Sequence, residues 1–143
     1  MTKLLLRMFV RAKGEKYMNK QERYDLYAGA VYPGWWWLLD EYTARCRAID
    51  PVCTFEIKEK YGTLRIFTLS DGTRDWKTFG QIESEAERAS LSVCELCGAH
   101  GKIRTERRYI QTLCDRCAAV DHDLEQKRRI VEETKQRWLS DKE

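Results

Sequence analysis

The chain has 143 residues, of which 43% are hydrophobic and 34% are charged, and its formal net charge is +3. A chain of this length can bury one hydrophobic core and still carry a small second module. No apolar stretch approaches the ~20 residues that cross a bilayer, and the net charge is far smaller than that of a dedicated DNA-binding domain. The composition therefore argues against a membrane-spanning helix and predicts a compact soluble protein.

The N-terminal segment, residues 1–18, is predicted to be a basic leader. Residues 1–20 contain six basic side chains and one acidic side chain, so most of the positive charge of the chain lies here. The apolar run at 4–6 is interrupted by Arg7, and no small-residue cleavage site follows it, which is unlike an export signal. We therefore expect a cytoplasmic protein.

Residues 19–92 are predicted to form a core of helices and one β-hairpin. Asn19 is a suitable N-cap for a first helix, with Glu22 three residues later. Apolar residues recur at helical spacing from Trp35 to Ile49, and an Asp-Pro pair ends this second helix. The predicted buried face of the second helix consists of Leu38, Leu39, Tyr42, Cys46 and Ile49.

A hairpin and a third helix are predicted after the second helix. Apolar and polar residues alternate over 53–58, and the alternation resumes over 64–67 after a turn at 60–62 that contains a glycine. Apolar residues then recur at helical spacing from 76 to 93. These elements predict an α+β fold, in which Cys46 and Cys53 are small buried side chains rather than reactive groups.

Two Cys-x-x-Cys pairs form the most specific motif of the chain. Thiolates at this spacing can close a tetrahedral site around Zn²⁺. We predict one structural zinc ion, with no coordination position left for a substrate. Two disulfides or four free thiols are the alternatives, and a cytoplasmic location favours the metal over disulfides. The predicted ligands are Cys94, Cys97, Cys114 and Cys117, while His100 and His122 are nearby candidates to replace one of them.

Residues 93–143 are predicted to form a zinc module that ends in a long helix. The segments 102–105 and 109–113 have the pattern of hairpin arms, and a single uninterrupted helix is predicted to begin near Cys114. The second cysteine pair then lies in the first helical turn, where the helix dipole favours thiolate charge. This is a treble-clef arrangement, and a zinc ribbon with both pairs on hairpin knuckles is the alternative.

Three consecutive tryptophans, Trp35, Trp36 and Trp37, begin the second helix. They lie at successive steps of about 100° around the helix axis, so they cannot all face one core. At least one is expected at the surface or at a boundary, where an exposed indole is a candidate for binding a partner protein. The alternative is that the N-terminal segment covers this helical turn.

Basic side chains cluster on the hairpin beside the predicted zinc site. Lys102, Arg104, Arg107 and Arg108 adjoin Tyr109, and this combination can contact nucleic-acid phosphates. Solvated charge at an ordinary hairpin turn is the alternative interpretation.

No catalytic motif is present in the sequence. There is no nucleophile elbow, no phosphate-binding glycine loop and no His-Glu-x-x-His pair, and no small-molecule substrate is indicated. We therefore predict a protein that is not an enzyme.

Four segments together resemble uncharacterised small proteins that bacteriophages and prophages encode. They are Gly-Trp-Trp-Trp-Leu-Leu-Asp at 34–40, Lys-Glu-Lys-Tyr-Gly-Thr-Leu-Arg at 58–65, Cys-Glu-Leu-Cys-Gly at 94–98 and Thr-Leu-Cys-Asp-Arg-Cys at 112–117. The resemblance covers roughly residues 30–120 and implies a bacterial host cell as the site of action. The zinc segment alone also resembles the zinc finger of the DksA/TraR family, whose members enter the secondary channel of RNA polymerase, although the long N-terminal helical hairpin of that family is absent here.

Two functions are consistent with these features. The first is a non-enzymatic phage-type protein that binds and modulates or inhibits a host complex, such as an anti-phage defence nuclease or RNA polymerase. The alternative is a small nucleic-acid-binding zinc-finger protein. Surface tryptophan and a modest net charge favour the first.

Overall fold

A computed structural model describes residues 18–71 and 75–141 of the chain. The helices and turns in this part are α1 (Lys20–Ala28), a 3₁₀ turn (Pro33–Trp35), α2 (Trp36–Ile49), α3 (Trp76–Ser90), α4 (Asp115–Val120) and α5 (Leu124–Ser140). The strands are β1 (Thr54–Lys60), β2 (Thr63–Leu69), β3 (Lys102–Arg104) and β4 (Gln111–Leu113), which pair as two antiparallel hairpins. This mixture confirms the predicted α+β class. Residues 1–17 of the predicted leader lie outside the described part, whereas Met18 is buried in the core.

The start of α1 and the end of α2 lie where their sequence signals place them. The side chain of Asn19 accepts a hydrogen bond of 2.9 Å from the backbone N–H of Glu22, as an N-cap does. Helix α2 ends at Ile49, and the following Asp50 is in an extended conformation. Local capping and the Asp-Pro pair are therefore sufficient to set these boundaries.

The β1–β2 hairpin has the predicted turn and the predicted buried face. Tyr61 and Gly62 form its two-residue loop with φ values of 53° and 80°, which both lie in the left-handed region that this tight turn requires. Ile57 pairs with Ile66 at the centre of the ladder. The buried hydrophobic residues of the hairpin are Cys53, Phe55, Ile57, Leu64 and Ile66.

Helix α3 covers one side of this hairpin. Phe79, Ile82 and Ala86 are buried at the spacing that the sequence predicts. Trp76, which shares that spacing, is 67% exposed. Its placement in the apolar stripe is wrong, because it is the first residue of the helix and projects beyond the end of the core.

A buried polar network ties the first two helices to the last one. The guanidinium of Arg23 lies 2.8 Å from a carboxylate oxygen of Asp40. The same carboxylate accepts hydrogen bonds from the hydroxyl of Tyr27 at 3.0 Å and from Nε1 of Trp138 at 3.0 Å. Burial raises the pKa of Asp40, and the Arg23 charge and these donors oppose the rise. Trp138 therefore belongs to the same core as the helices of 19–92, although the sequence assigns it to the zinc module.

The C-terminal segment forms two helices and not the predicted single one. Helix α4 ends at Val120, and α5 begins after Asp123, whose side chain caps the backbone N–H groups of Glu125 and Gln126. This N-cap is the physical reason for the break. The buried residues of α5 are Ile130, Thr134 and Trp138, whereas Leu124 is exposed. No helix in the described ranges is long and apolar enough to cross a membrane.

The two halves of the protein meet at Gly34. Its backbone N–H donates a hydrogen bond of 2.9 Å to the backbone carbonyl of Glu95. A Cβ atom at position 34 would lie 2.5 Å from the carbonyl carbon of Glu95 and would also overlap the carbonyl oxygen of Cys94. Only glycine permits this approach of two backbones.

We expect Gly34→Ala to lower the free energy of unfolding by about 3 kcal/mol or more, because an added methyl group would collide with backbone atoms that cannot move independently. Gly29→Ala is the matched control, since a Cβ atom there meets nothing within 4 Å. Urea denaturation of both metal-loaded variants measures the difference. Equal stability of the two variants would contradict the structural role of Gly34.

Candidate metal centre

The first cysteine pair lies on a tight turn. The backbone N–H of Cys94 donates to the carbonyl of Ala99 at 2.7 Å, and the N–H of Gly98 donates to the carbonyl of Cys94 at 2.9 Å. Gly98 has a φ of 82°, which favours glycine at the position that closes the turn. The turn therefore folds Cys94 and Cys97 back toward one another.

The second cysteine pair lies at the beginning of α4. Cys114 is the N-cap residue, and its Sγ accepts a hydrogen bond of 3.4 Å from the backbone N–H of Cys117. The β3–β4 hairpin separates the two pairs and returns the chain to the first one. An N-cap position suits a thiolate because the unpaired N–H groups of the first helical turn point toward it.

The four sulfur atoms lie together. Every pair of them is within 4.8 Å, and the sulfurs of Cys97 and Cys114 are 3.6 Å apart. Zinc–sulfur bonds of about 2.3 Å in a tetrahedron place the sulfurs about 3.8 Å from one another, so this spacing fits a metal ion. All four cysteines are free of disulfide bonds, and neither histidine belongs to the cluster. The arrangement is thus a plausible metal site.

The local environment stabilises thiolate charge at Cys94, whereas burial raises the pKa of Cys97. A hydrogen bond from the thiol of Cys117 lowers the pKa of Cys94 to about 4, and backbone N–H groups contribute in the same direction while burial opposes them. The same hydrogen bond raises the pKa of Cys117. The positive charge of Arg116 lies beside the sulfurs. Desolvation lowers the pKa of Arg116, but a hydrogen bond to the sulfur of Cys97, together with the charges of Cys97 and Cys117, outweighs this effect and raises it. The four sulfur atoms therefore form a donor set for a metal cation that binds thiolates.

Glu95, between the ligands, is a feature that the sequence analysis missed. It is 2% exposed, its backbone N–H donates to the carbonyl of Thr112 at 3.0 Å, and its Oε1 accepts from the amide of Gln111 at 2.8 Å. Burial raises its pKa to about 7, and the nearby negative charge of Glu59 adds to the rise. The sequence signal for this feature is the charged residue that lies between the two cysteines of the first pair.

A cleft of about 640 Å³ opens beside this residue. It lies between the α1–α2 connection, the turn end of β1 and the segment that precedes β4, and Tyr32 and Tyr109 are its exposed aromatic residues. The charged residues that line it are Glu59, Glu95, Asp121 and Lys127. The cleft therefore combines aromatic surface with the carboxyl groups of Glu59 and Glu95 and an ion pair between Asp121 and Lys127.

The first two tryptophans of the run are not exposed. Trp35 and Trp36 are fully buried, and their indole N–H groups donate to the backbone carbonyls of Val93 and Val31. The turn that carries the first cysteine pair and α5 contact them, so these two indoles offer no exposed surface in this structure. Partner binding by Trp35 and Trp36 stays a prediction. The ring of Trp36 packs edge-on against that of Trp138, with centroids 5.2 Å apart.

Trp37 occupies the boundary position that the helical geometry requires. It is partly buried, and its Nε1 donates to a carboxylate oxygen of Asp141 at 3.0 Å. The guanidinium of Arg137 lies 5.2 Å from the centre of its ring. Both contacts come from the C-terminal helix and its cap, so part of this indole is occupied within the chain.

Two of the four basic candidates are engaged by acceptors of the chain itself. The guanidinium of Arg104 donates to the carbonyl of Leu113 and lies 2.8 Å from Asp115, and that of Arg107 lies 2.7 Å from Asp121. Lys102 and Arg108 are exposed. The remaining surface charge on this hairpin is therefore smaller than the sequence suggests.

The two isolated cysteines are structural. Cys46 and Cys53 are buried in the first core, and burial raises their pKa values to about 12 and about 11. Both thiols are consequently protonated at neutral pH, which agrees with their prediction as small buried side chains.

Comparison with known proteins gives no assignment. No protein-family model matches the chain, and no curated protein or solved structure matches it.

Glu95→Gln is expected to stabilise the metal-loaded protein at pH 8 by about 2 to 3 kcal/mol, because it removes a buried negative charge. The folded-state pKa of about 7 lies above the ordinary value of 4.5, so the protonated carboxyl contributes stability at low pH that is lost as the pH rises through 7. The advantage of the variant should therefore grow as the pH rises from 4.5 to 7 and level off above pH 7. Thermal unfolding across this range measures it, and an advantage that does not change with pH would contradict the shifted pKa.

Proposed function

We propose that this protein is a non-enzymatic zinc-binding protein that acts in a bacterial cytoplasm by binding another macromolecule. The observation that carries the proposal is the four-cysteine cluster. With four thiolate ligands, a tetrahedral ion has no position for water or substrate, so its contribution is to folding and not to catalysis.

Zinc is the metal that the donor set favours. Four sulfurs at tetrahedral spacing suit Zn²⁺, while hard cations such as Mg²⁺ and Ca²⁺ prefer oxygen ligands. The order of a knuckle, a hairpin and a helix that begins at the third ligand supports the treble-clef interpretation over the zinc ribbon, because the second pair lies on a helix.

Protein purified without chelator is expected to contain one zinc ion per chain. Cys97→Ser or Cys114→Ser should abolish this stoichiometry and unfold the second hydrophobic core, because metal binding and local folding are coupled. That core consists of Cys94, Leu96, Cys97, Leu113, Cys117 and Ile130. Cys53→Ser is the control, since that thiol lies outside the cluster and should leave the zinc content unchanged. Elemental analysis and circular dichroism provide the two measurements. Zinc-free folded protein would refute the metal assignment.

The cleft is our proposed surface for a protein partner. Tyr32 and Tyr109 provide the exposed aromatic surface that binding hot spots use, and they replace the tryptophan run in this role. The resemblance to phage proteins supports a host complex as the partner, such as a defence nuclease or RNA polymerase.

Affinity capture from bacterial lysate with and without nuclease, followed by identification of the retained protein, tests this role. Tyr109→Ala should then weaken binding of the identified partner by about 2 kcal/mol, because a desolvated aromatic contact is lost. Trp76→Ala, which removes an equally exposed aromatic residue from α3, is the matched control. A larger effect of the control would place the binding surface on α3.

Nucleic-acid binding is the second candidate, and the exposed Lys102 and Arg108 favour it. If it is correct, retention disappears after nuclease treatment and affinity falls steeply with salt, because phosphate contacts release counterions. Replacing Lys102 and Arg108 together by Ala should then weaken binding more than Tyr109→Ala does.

A further inference from the structure

The two outer edges of the β1–β2 hairpin differ. Along β2, the backbone N–H of Leu64 donates to the hydroxyl of Ser90 at 2.9 Å, and the N–H of Thr68 donates to a carboxylate oxygen of Glu83 at 2.7 Å. Ser90 and Glu83 belong to α3. This helix therefore provides partners for outward-facing amides of β2 and covers that edge.

Along β1, at the opposite edge, no residue of the described part of the chain provides such hydrogen-bond partners. Backbone groups alternate in direction along an antiparallel strand, and Leu64 and Thr68 lie opposite Glu59 and Phe55 in the ladder. Glu59, Ile57 and Phe55 therefore direct their N–H and C=O groups away from β2. Among the residues that the structure describes, none of these outward groups has a hydrogen-bond partner, and β1 pairs with β2 alone. An open edge of this kind is a template for another strand.

The sequence of β1 is complementary to itself in one register. When two copies of β1 pair antiparallel about a two-fold axis at Ile57, their outward backbone groups lie opposite each other. Glu56 of one copy then lies opposite Lys58 of the other, and the symmetry repeats this contact. Thr54 lies opposite Lys60 at each end. The side chains of Glu56 and Lys58 are about half exposed, at 59% and 51%, and form an ion pair of 3.0 Å with each other within the chain. In the dimer the pair within each chain is exchanged, giving two equivalent pairs between the chains.

Registers shifted by one step are less favourable. An axis at Glu56 places this carboxylate opposite its own copy, and an axis at Lys58 does the same with two ammonium groups. Like charges directly opposite each other destabilise a ladder. Both shifts also shorten the seven-residue overlap of the β1 strands. The charge order thus selects pairing about Ile57.

We infer that β1 is the interface of a symmetric dimer, in which two copies of this chain join their hairpins into one four-stranded antiparallel sheet. The chain that pairs with the open edge is a second copy, because β1 placed antiparallel to itself brings Glu56 opposite Lys58. Such an interface is isologous, so each residue contributes twice. The inner faces of both hairpins remain on the same side of the extended sheet, each against its own helices.

A charge exchange tests the inference with the full zinc-loaded chain. Glu56→Lys and Lys58→Glu, made separately, each convert two attractive contacts into two repulsive ones, and should weaken dimerisation at least about tenfold. The double variant Glu56→Lys/Lys58→Glu restores opposite charges in the same register and should recover the dimer. Glu106→Lys in the exposed β3–β4 connection is the matched control for a change of net charge.

Sedimentation equilibrium from micromolar to millimolar protein measures the association, and amide hydrogen exchange locates it. The expected result is a wild-type dimer, loss in both single variants, recovery in the double variant, and concentration-dependent protection of the amides of Phe55, Ile57 and Glu59. A wild-type monomer throughout this range overturns the inference. So does a dimer that the single exchanges leave intact, or one that the double exchange fails to restore.

Discussion

Gly34 and Glu95 bring two backbones into direct contact, and both hydrophobic cores depend on this junction. The N–H of Gly34 donates to the carbonyl of Glu95, and the indole of Trp35 donates to the carbonyl of Val93. Glu95 in turn donates through its own N–H to Thr112 of the second hairpin. A buried carbonyl or amide without a partner is costly, so these bonds leave little freedom in how the two halves pack. The absence of a side chain at position 34 makes the contact possible.

The metal centre is attached to the rest of the molecule through the same region and through α5. The guanidinium of Arg137 donates to the carbonyl of Cys97 at 2.7 Å, while Trp138, the next residue, lies in the first core beside Asp40. One turn of helix therefore contacts both the cysteine knuckle and the buried polar network. We expect loss of the metal to destabilise the first core as well, because α5 contacts both cores. This continuity distinguishes the arrangement from two domains joined by a linker.

Interactions within the chain determine which candidate residues remain available to a partner. Buried tryptophans satisfy their N–H groups internally, and Arg104 and Arg107 neutralise Asp115 and Asp121. The Arg107–Asp121 pair is mostly buried, with side chains 23% and 19% exposed, and both pairs reduce the charge that is free to attract phosphate. What remains is a cleft lined by aromatic and acidic residues and an open strand edge along β1. The two surfaces meet at Glu59, which lines the cleft and belongs to β1. Tyr109 lines only the cleft, while Glu56 and Lys58 lie on β1 outside it, so variants at these positions test a partner and a second copy independently.

The sequence by itself determined the features that depend on local spacing. The cysteine pairs, the N-cap at Asn19 and the hairpin turn at Gly62 each follow from the few residues around them, because ligand spacing, capping and positive φ are local requirements. Only the tertiary structure decided the rest. It buried Trp35 and Trp36, and it placed α5 against the first core after a break that the hydrophobic period alone concealed. These outcomes depend on which surfaces meet across long separations in sequence, and a pattern in one segment carries no information about the segment that will cover it.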